Sequence, residues 1–183
     1  MTARPLYPAL LVALLFAYSA QTTQWETVSE DGFTVKMPGK PSKKTQSMDT
    51  MVGELQLTTL VAEKGGAAFI VGYNDFPDTP TARERDPEEL LNNARAGAVE
   101  KVNGRVTSEK ALTMNGHPGK EFSGDGISQE ADSSGKRQEF TFTMRVYWVV
   151  PRLYQVLYIR PKTTAPPSED GLKFLDSFRL TEK

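Results

Sequence analysis

The chain has 183 residues, and its 22 lysine and arginine residues nearly balance 23 aspartate and glutamate residues, for a net charge of −1. Nucleic-acid binding requires a clustered basic face, so we expect no nucleic-acid partner. The chain has no cysteine and one histidine. This excludes disulfides, a lipid-modified cysteine after a lipoprotein signal, and the usual structural zinc sites with four nitrogen or sulfur ligands.

The amino-terminal segment has the pattern of a secretory signal peptide. Arg4 precedes an apolar run from residue 9 to 17, and the small pair Ser19-Ala20 follows. Spanning a bilayer takes roughly 20 apolar residues, so a retained anchor is the less favoured alternative. We therefore predict a signal peptide over residues 1–20 and a single exported domain over residues 21–183. The released domain is expected in the periplasm or outside the cell, without stable membrane insertion.

Alternation of apolar and polar residues predicts strands in the first half of the domain. The turn signals are Pro38-Gly39, which ends one strand, and Gly65-Gly66, which joins two others in a hairpin. The polar, basic residues 41–50 are predicted to form a loop. The predicted extended segments cover residues 25–28, 32–39, 51–63 and 67–73.

A helix follows with clear signals at both ends. Asp86 is the predicted N-cap, Pro87 suits the first helical position, and Glu89 completes a capping box. Asn103-Gly104 ends the helix. Its apolar residues recur at helical spacing: Leu91, Ala94, Ala98 and Val102.

The second half of the domain is predicted to be rich in strands. Asn115-Gly116 is a hairpin signal between strands at 105–114 and 120–123. The glycine-rich residues 124–135 are predicted to form a loop or a mobile hairpin end. A strand with one apolar face then covers 140–150, and residues 153–159 are apolar on both faces, as in a central strand. After a linker at 161–167, Ser168 is predicted to cap a last helix that carries Leu172, Phe174, Leu175 and Phe178.

This order predicts the α+β fold class. Short turns between neighbouring strands imply one antiparallel sheet, of about six to seven strands, flanked by two main helices. No internal repeat or second domain is visible in the sequence.

Several short motifs resemble a group of exported bacterial proteins and, more widely, the Mog1/PsbP-like α/β/α sandwich family, which includes DcrB and the PsbP proteins of photosystem II. The motifs are Trp25, the segment from Gly32 to Pro41, Tyr73-Asn74-Asp75-Phe76-Pro77, the segment from Gly116 to Glu121, and Phe174-Leu175-Asp176-Ser177-Phe178. The resemblance implies the sandwich fold and roles in binding other proteins. It carries over no catalytic residue.

Residues of catalytic or metal-binding type are sparse. His117 lies in a predicted turn and has no thiol or Gly-x-Ser-x-Gly nucleophile to act on, so no catalytic residue is assigned. Asp125, Glu130 and Asp132 offer oxygen ligands for Ca²⁺, but their spacing does not match an EF-hand loop. The pair Asp75 and Asp78 is interpreted as part of a rigid loop. No metal, cofactor or cofactor-binding residue is therefore assigned.

A set of tyrosine and arginine side chains is the remaining candidate for function. It consists of Tyr147, Tyr154 and Tyr158 with Arg145, Arg152 and Arg160. Such residues are favoured in interfaces, although the alternative is a second sheet face covered by a helix. The leading hypothesis is a non-enzymatic exported domain that binds or assists an envelope component. The alternatives are a carboxylate-dependent hydrolase of envelope glycans or peptides, and a calcium-dependent binding module.

Overall fold

A computed structural model describes residues 24–50, 53–77, 84–131, 135–162 and 169–181. The segment predicted as a signal peptide, Asp78, Asp132 and Ser168 lie outside these ranges. The described residues form ten strands and two helices, which are β1 (Trp25–Glu30), β2 (Phe33–Pro38), β3 (Ser42–Thr50), β4 (Gly53–Lys64), β5 (Ala67–Asp75), α1 (Pro87–Lys101), β6 (Arg105–Met114), β7 (His117–Ala131), β8 (Arg137–Val149), β9 (Arg152–Pro161), α2 (Glu169–Leu175) and β10 (Arg179–Leu180).

Seven strands form one antiparallel sheet in the order β3-β4-β5-β9-β8-β7-β6. β9 lies in the middle, and its residues from Arg152 to Ile159 are buried, as predicted for a central strand. β1, β2 and β10 form a second, three-stranded sheet. The predicted α+β fold, an antiparallel sheet flanked by two helices, is confirmed.

The main sheet separates two hydrophobic cores. On one side, here called the α1 face, α1 packs against β7 and β8. On the other side, the α2 face, α2 and the three-stranded sheet cover a core rich in aromatic rings. The largest buried side chains of the α1 face are Trp148, Phe122, Met144, Leu91, Leu55 and Ile70, and those of the α2 face are Phe33, Phe69, Phe174, Phe178, Met37 and Leu60.

α1 has the predicted N-cap at Asp86 and the predicted Pro87 at its first position, and it ends just before Asn103. The Asp86 side chain accepts a hydrogen bond of 2.9 Å from the backbone N–H of Glu88 at the second helical position. Asn103 has a φ of +43° just beyond the helix end. On the sheet side, Lys120 of β7 donates to Glu88 Oε1 at 2.6 Å and to Asn92 Oδ1 at 2.7 Å. These bonds hold the first turns of α1 against the sheet.

The prediction of a loop at 41–50 is wrong, because these residues form β3. The register with β4 runs without interruption from Ser42 opposite Val61 to Thr50 opposite Gly53. β3 is an edge strand, and its side chains from Ser42 to Thr45 are exposed. Edge strands commonly carry lysine and other polar residues that discourage pairing with another chain, so the polar composition does not imply a loop.

The prediction of a loop is also wrong for residues 124–131, because β7 continues to Ala131. The alternative of a hairpin end is correct, since Ala131 of β7 lies opposite Arg137 of the antiparallel β8. A Cβ atom at Gly124 would overlap the carbonyl oxygen of Arg105 and lie 2.7 Å from the Phe142 ring. Gly124 therefore permits the close approach of two neighbouring strands and a ring. Its role here is packing rather than flexibility.

The carboxyl-terminal end differs from the prediction in two details. α2 ends at Leu175, and Leu172 is 51% exposed instead of facing the core. β10, which was not predicted, pairs Arg179 and Leu180 with β2. This pairing holds Phe178 between the two sheets. Within the described ranges, neither helix has the length and apolar character needed to cross a membrane.

Candidate functional site

The three tyrosines proposed as part of a binding surface are core residues. Tyr147, Tyr154 and Tyr158 are between 2% and 5% exposed on the α2 face. Burial raises the pKa of Tyr147 and Tyr154. The partner-binding interpretation of these tyrosines is therefore wrong, and the alternative of a covered sheet face is correct.

Arg145 joins the main sheet to the end of α2. Its Nε lies 2.6 Å from Glu121 Oε2, and its two terminal nitrogens donate to the Leu175 carbonyl at 2.8 Å and to Asp176 Oδ1 at 2.7 Å. Lys110 lies 2.9 Å from the other Glu121 oxygen. Burial opposes ionisation of Glu121, but the bonds from Lys110 and Arg145 outweigh it and lower the pKa of this carboxyl.

We expect this carboxyl to make stability depend on acid pH. A carboxyl whose pKa is lower in the folded chain stabilises the fold above its ordinary value of 4.5, and the contribution is lost as the pH falls through the folded value. Glu121→Gln should lower the urea midpoint at neutral pH and weaken its decline below about pH 4.5. Urea unfolding from neutral to acid pH measures both effects. Glu26→Gln, exposed on β1, is the control and should leave the profile unchanged.

A second arginine organises one end of the sheet, where three separate segments meet. Arg152 begins β9, and its side chain is 9% exposed. Its Nε and Nη2 donate to the two carboxylate oxygens of Asp75, at 2.5 and 2.6 Å. Its Nη1 donates to the backbone carbonyl of Asp31 at 2.5 Å, and the Tyr73 ring lies 4.9 Å from the guanidinium carbon.

A glycine allows the turn between β1 and β2 to approach this arginine. Gly32 has a φ of +92°, a left-handed conformation that favours glycine. A Cβ atom at this position would overlap the Tyr154 hydroxyl and lie 3.3 Å from Arg152 Nη1. The turn can therefore place the Asp31 carbonyl on the guanidinium only with glycine next to it.

We call the group of Asp31, Asp75, Val150 and Arg152 the Arg152 corner. Val150 precedes Arg152 in the turn between β8 and β9, which contains a cis Val150–Pro151 bond. Val150 is 45% exposed, one of the few large apolar side chains exposed among the described residues. The side chains of Asp31 and Asp75 are 67% and 51% exposed. The corner thus presents two carboxylates and an apolar side chain to solvent, above a buried guanidinium.

The chemistry of the corner favours binding over proton transfer. Hydrogen bonds to Asp75 raise the pKa of Arg152 above its ordinary value, against the effect of burial. A guanidinium in this state keeps its proton at neutral pH and cannot act as a general base. Because Asp75 uses both oxygens on Arg152, its carboxylate is also held in one orientation.

The other candidate residues do not assemble into a site within the described ranges. His117 is partly exposed at the start of β7, opposite Met114. Asp125 lies in β7 with its carboxylate 3.5 Å from Lys162, and Glu130 is exposed farther along the same strand. No group of three potential metal ligands occurs among the described residues, and Asp78 and Asp132 fall outside them.

The sequence interpretation placed Arg152 in the set of tyrosine and arginine residues, but it did not predict that Arg152 is buried and paired with Asp75. A signal was nevertheless present, because a charged residue directly precedes a segment that is apolar on both faces. A cation in that position must be buried with a partner or lie at the end of the sheet. The partner carboxylate, Asp75, was assigned only to a rigid loop.

No protein-family model matches the chain, and no curated protein matches it. Among solved structures, the chain is similar to the solution structure of cyanobacterial PsbP (CyanoP) from Synechocystis sp. PCC 6803. The two share 9% sequence identity, and the similarity covers 92% of this chain and 99% of that chain with a TM-score of 0.49. The match concerns the fold alone.

Proposed function

We propose that the chain is a non-enzymatic exported domain that binds or assists another component of the bacterial envelope. Residues 1–20 act as the signal peptide, and residues 21–183 form the released domain. The charge and apolar pattern of the first twenty residues supports export. Intact-mass measurement of the protein recovered from the periplasm or medium tests it. Loss of about the first 20 residues is expected, and a retained amino terminus contradicts release.

The observation that carries the binding proposal is the Arg152 corner. Asp31, Asp75 and Val150 come from three different turns or strand ends, and the buried Arg152 holds the Asp75 carboxylate and the backbone of Asp31. Because the Asp75 carboxylate is already held in position, it loses little conformational freedom when a partner binds. An exposed apolar side chain between charged groups is also a common feature of interfaces.

The chemistry of the corner specifies the partner that it fits. The two partly exposed carboxylates outnumber the one buried cation, so the Arg152 corner carries a net negative charge. The complementary partner is a protein segment with lysine or arginine next to an apolar side chain. Such an interaction weakens as the salt concentration rises, because exposed charges are screened.

Site-specific photocrosslinking tests this role. A photoreactive residue at position 150 should crosslink to one envelope protein, whereas the same residue at positions 127 and 172 should not. Ile127 and Leu172 are matched controls because they are also exposed apolar residues, at 40% and 51%. Asp31→Lys should abolish the crosslink at position 150. This change reverses a surface charge but keeps the backbone carbonyl that binds Arg152.

Equal crosslinking at the three positions would contradict the proposed surface. Turnover of a cell-envelope glycan or peptide by the purified protein would instead favour the alternative of a carboxylate-dependent hydrolase. That alternative requires two carboxyl groups with perturbed pKa values in one concave site. Partial burial raises the pKa of Glu63 on β4, but this residue is largely exposed and supplies one carboxyl rather than the required pair.

The calcium-dependent binding module is the third possibility, built on Asp125, Glu130 and Asp132. Its support is the acidic composition of that segment. A bound ion stabilises the fold by mass action, so millimolar Ca²⁺ would raise the melting temperature. An unchanged melting temperature contradicts this alternative and leaves the proposal of a protein-binding domain as it stands.

A further inference from the structure

Two primary amides lie inside the core on the α1 face. Asn74 of β5 is 0% exposed and Gln155 of β9 is 1% exposed. Asn74 lies on the same face of β5 as Ile70, and Gln155 lies on the same face of β9 as Leu157. Ile70 and Leu157 belong to the core of the α1 face, so the two amides face this core as well. Among the described residues, neither polar atom of either amide has a hydrogen-bond partner. Buried amide groups without partners are rare because they lose their hydration without compensation.

The strand register places the two amides close together. Gln155 is opposite Gly72, and Asn74 is opposite Leu153, so the amides occupy diagonal positions on adjacent strands. Diagonal positions are about 7–8 Å apart, a spacing at which one small group can reach both amide heads. Gly72 has no side chain, and this adds space beside Gln155.

The surroundings determine what kind of group fits. The residues opposite the two amides on the flanking strands are Leu57 on β4 and Val146 on β8, both apolar. A charged group there would be buried without a counter-ion. Two amides together offer N–H donors and carbonyl acceptors, so they match a group that can both accept and donate.

We infer that Asn74 and Gln155 form an internal binding site for a neutral group that donates and accepts hydrogen bonds. An ordered water molecule supplies this chemistry, and so does the carboxamide or hydroxyl of a small neutral ligand. The site is separate from the Arg152 corner, because the two lie on opposite faces of the main sheet. Asn74 and Gln155 face α1, whereas the Arg152 guanidinium lies beside Tyr154, which belongs to the core of the α2 face.

Apolar substitutions of similar size distinguish an occupied site from a dry one, because they change the melting temperature in opposite directions in the two cases. If the site is occupied, Asn74→Leu and Gln155→Met each lower the melting temperature by a few degrees, because the occupant loses a partner. The double variant then loses less than the sum of the two, because no amide remains to be satisfied. If the site is dry, each single variant raises the melting temperature. Leu157→Met is the packing control and should change it little.

Proton NMR of the purified protein identifies the occupant without relying on variants. Cross-peaks between water and the side-chain NH₂ protons of both amides identify ordered water. Saturable shifts of the same NH₂ signals on titration with acetamide identify a site that takes a carboxamide ligand. Absence of both signals, together with a raised melting temperature in Asn74→Leu, would overturn the inference.

Discussion

Phe178→Ala is expected to lower the free energy of unfolding by about 4 kcal/mol, among the largest losses for a single change in this chain. The ring is 0% exposed. It stacks on Phe33 with centroids 5.3 Å apart and on Tyr147 at 5.8 Å, and it meets Tyr154 edge-on at 5.6 Å. Removing it leaves a cavity where the three-stranded sheet meets the main sheet. Equilibrium unfolding in urea, followed by circular dichroism, measures the loss.

Two further variants test the assignment of this loss to a cavity. Phe178→Leu keeps most of the apolar volume and should lose roughly 1–2 kcal/mol. Leu172→Ala, on the exposed side of α2, should change the free energy of unfolding by less than about 0.5 kcal/mol. If Phe178→Ala loses no more than Leu172→Ala, the contact between the two sheets does not contribute to stability as described.

Asp75→Ala should have the second large effect, about 2–3 kcal/mol, because it leaves a buried guanidinium without its main partner. Asp75 accepts two bonds from Arg152, whereas the carboxylate of Asp31 is 3.6 Å away. Removing one partner of a fully buried ion pair costs about 3–5 kcal/mol. We expect a smaller loss of stability here because the Asp75 side chain is half exposed. Chemical unfolding at neutral pH and moderate salt measures it.

Asp176→Ala is the matched control for this prediction. Asp176 is also an exposed carboxylate bound to a largely buried arginine, but Arg145 keeps Glu121 when Asp176 is removed. The loss should therefore be below about 1 kcal/mol. If Asp75→Ala and Asp176→Ala lowered the free energy of unfolding equally, the bidentate bond between Asp75 and Arg152 would contribute no more to stability than the bond between Asp176 and Arg145.

Strands could be predicted from the sequence most clearly where one face of the strand is buried and the other face is not. β8 shows the clean alternation from Phe140 to Trp148 that such burial produces, and both of its neighbours were predicted. From Ser42 to Ser47, the part of β3 whose side chains are described, every residue is polar and none is buried, so the composition resembles that of a loop. β10 has only two residues and no periodicity. Its position depends on pairing with β2, which is distant in sequence.

The candidate site was less predictable than the fold. Alternation placed Arg145 and Tyr147 on one face correctly, but it could not tell whether a helix or solvent covers that face. The pair of Asp75 and Arg152 joins residues 77 positions apart. Such a pair follows from the order of the strands in the sheet, and single-sequence periodicity does not determine that order. The internal amides Asn74 and Gln155 were missed for the same reason.

The central position of β9 has a consequence for how the chain folds. β9 is the last strand of the main sheet in chain order, so it is synthesised after the other six. In the folded protein it pairs with β5 on one side and with β8 on the other. Before it is present, β3-β4-β5 and β6-β7-β8 are two separate units, each with an open edge. Closure therefore depends on non-local pairing, which slows folding. A chain that ends before Arg152 lacks the strand that joins the two half-sheets.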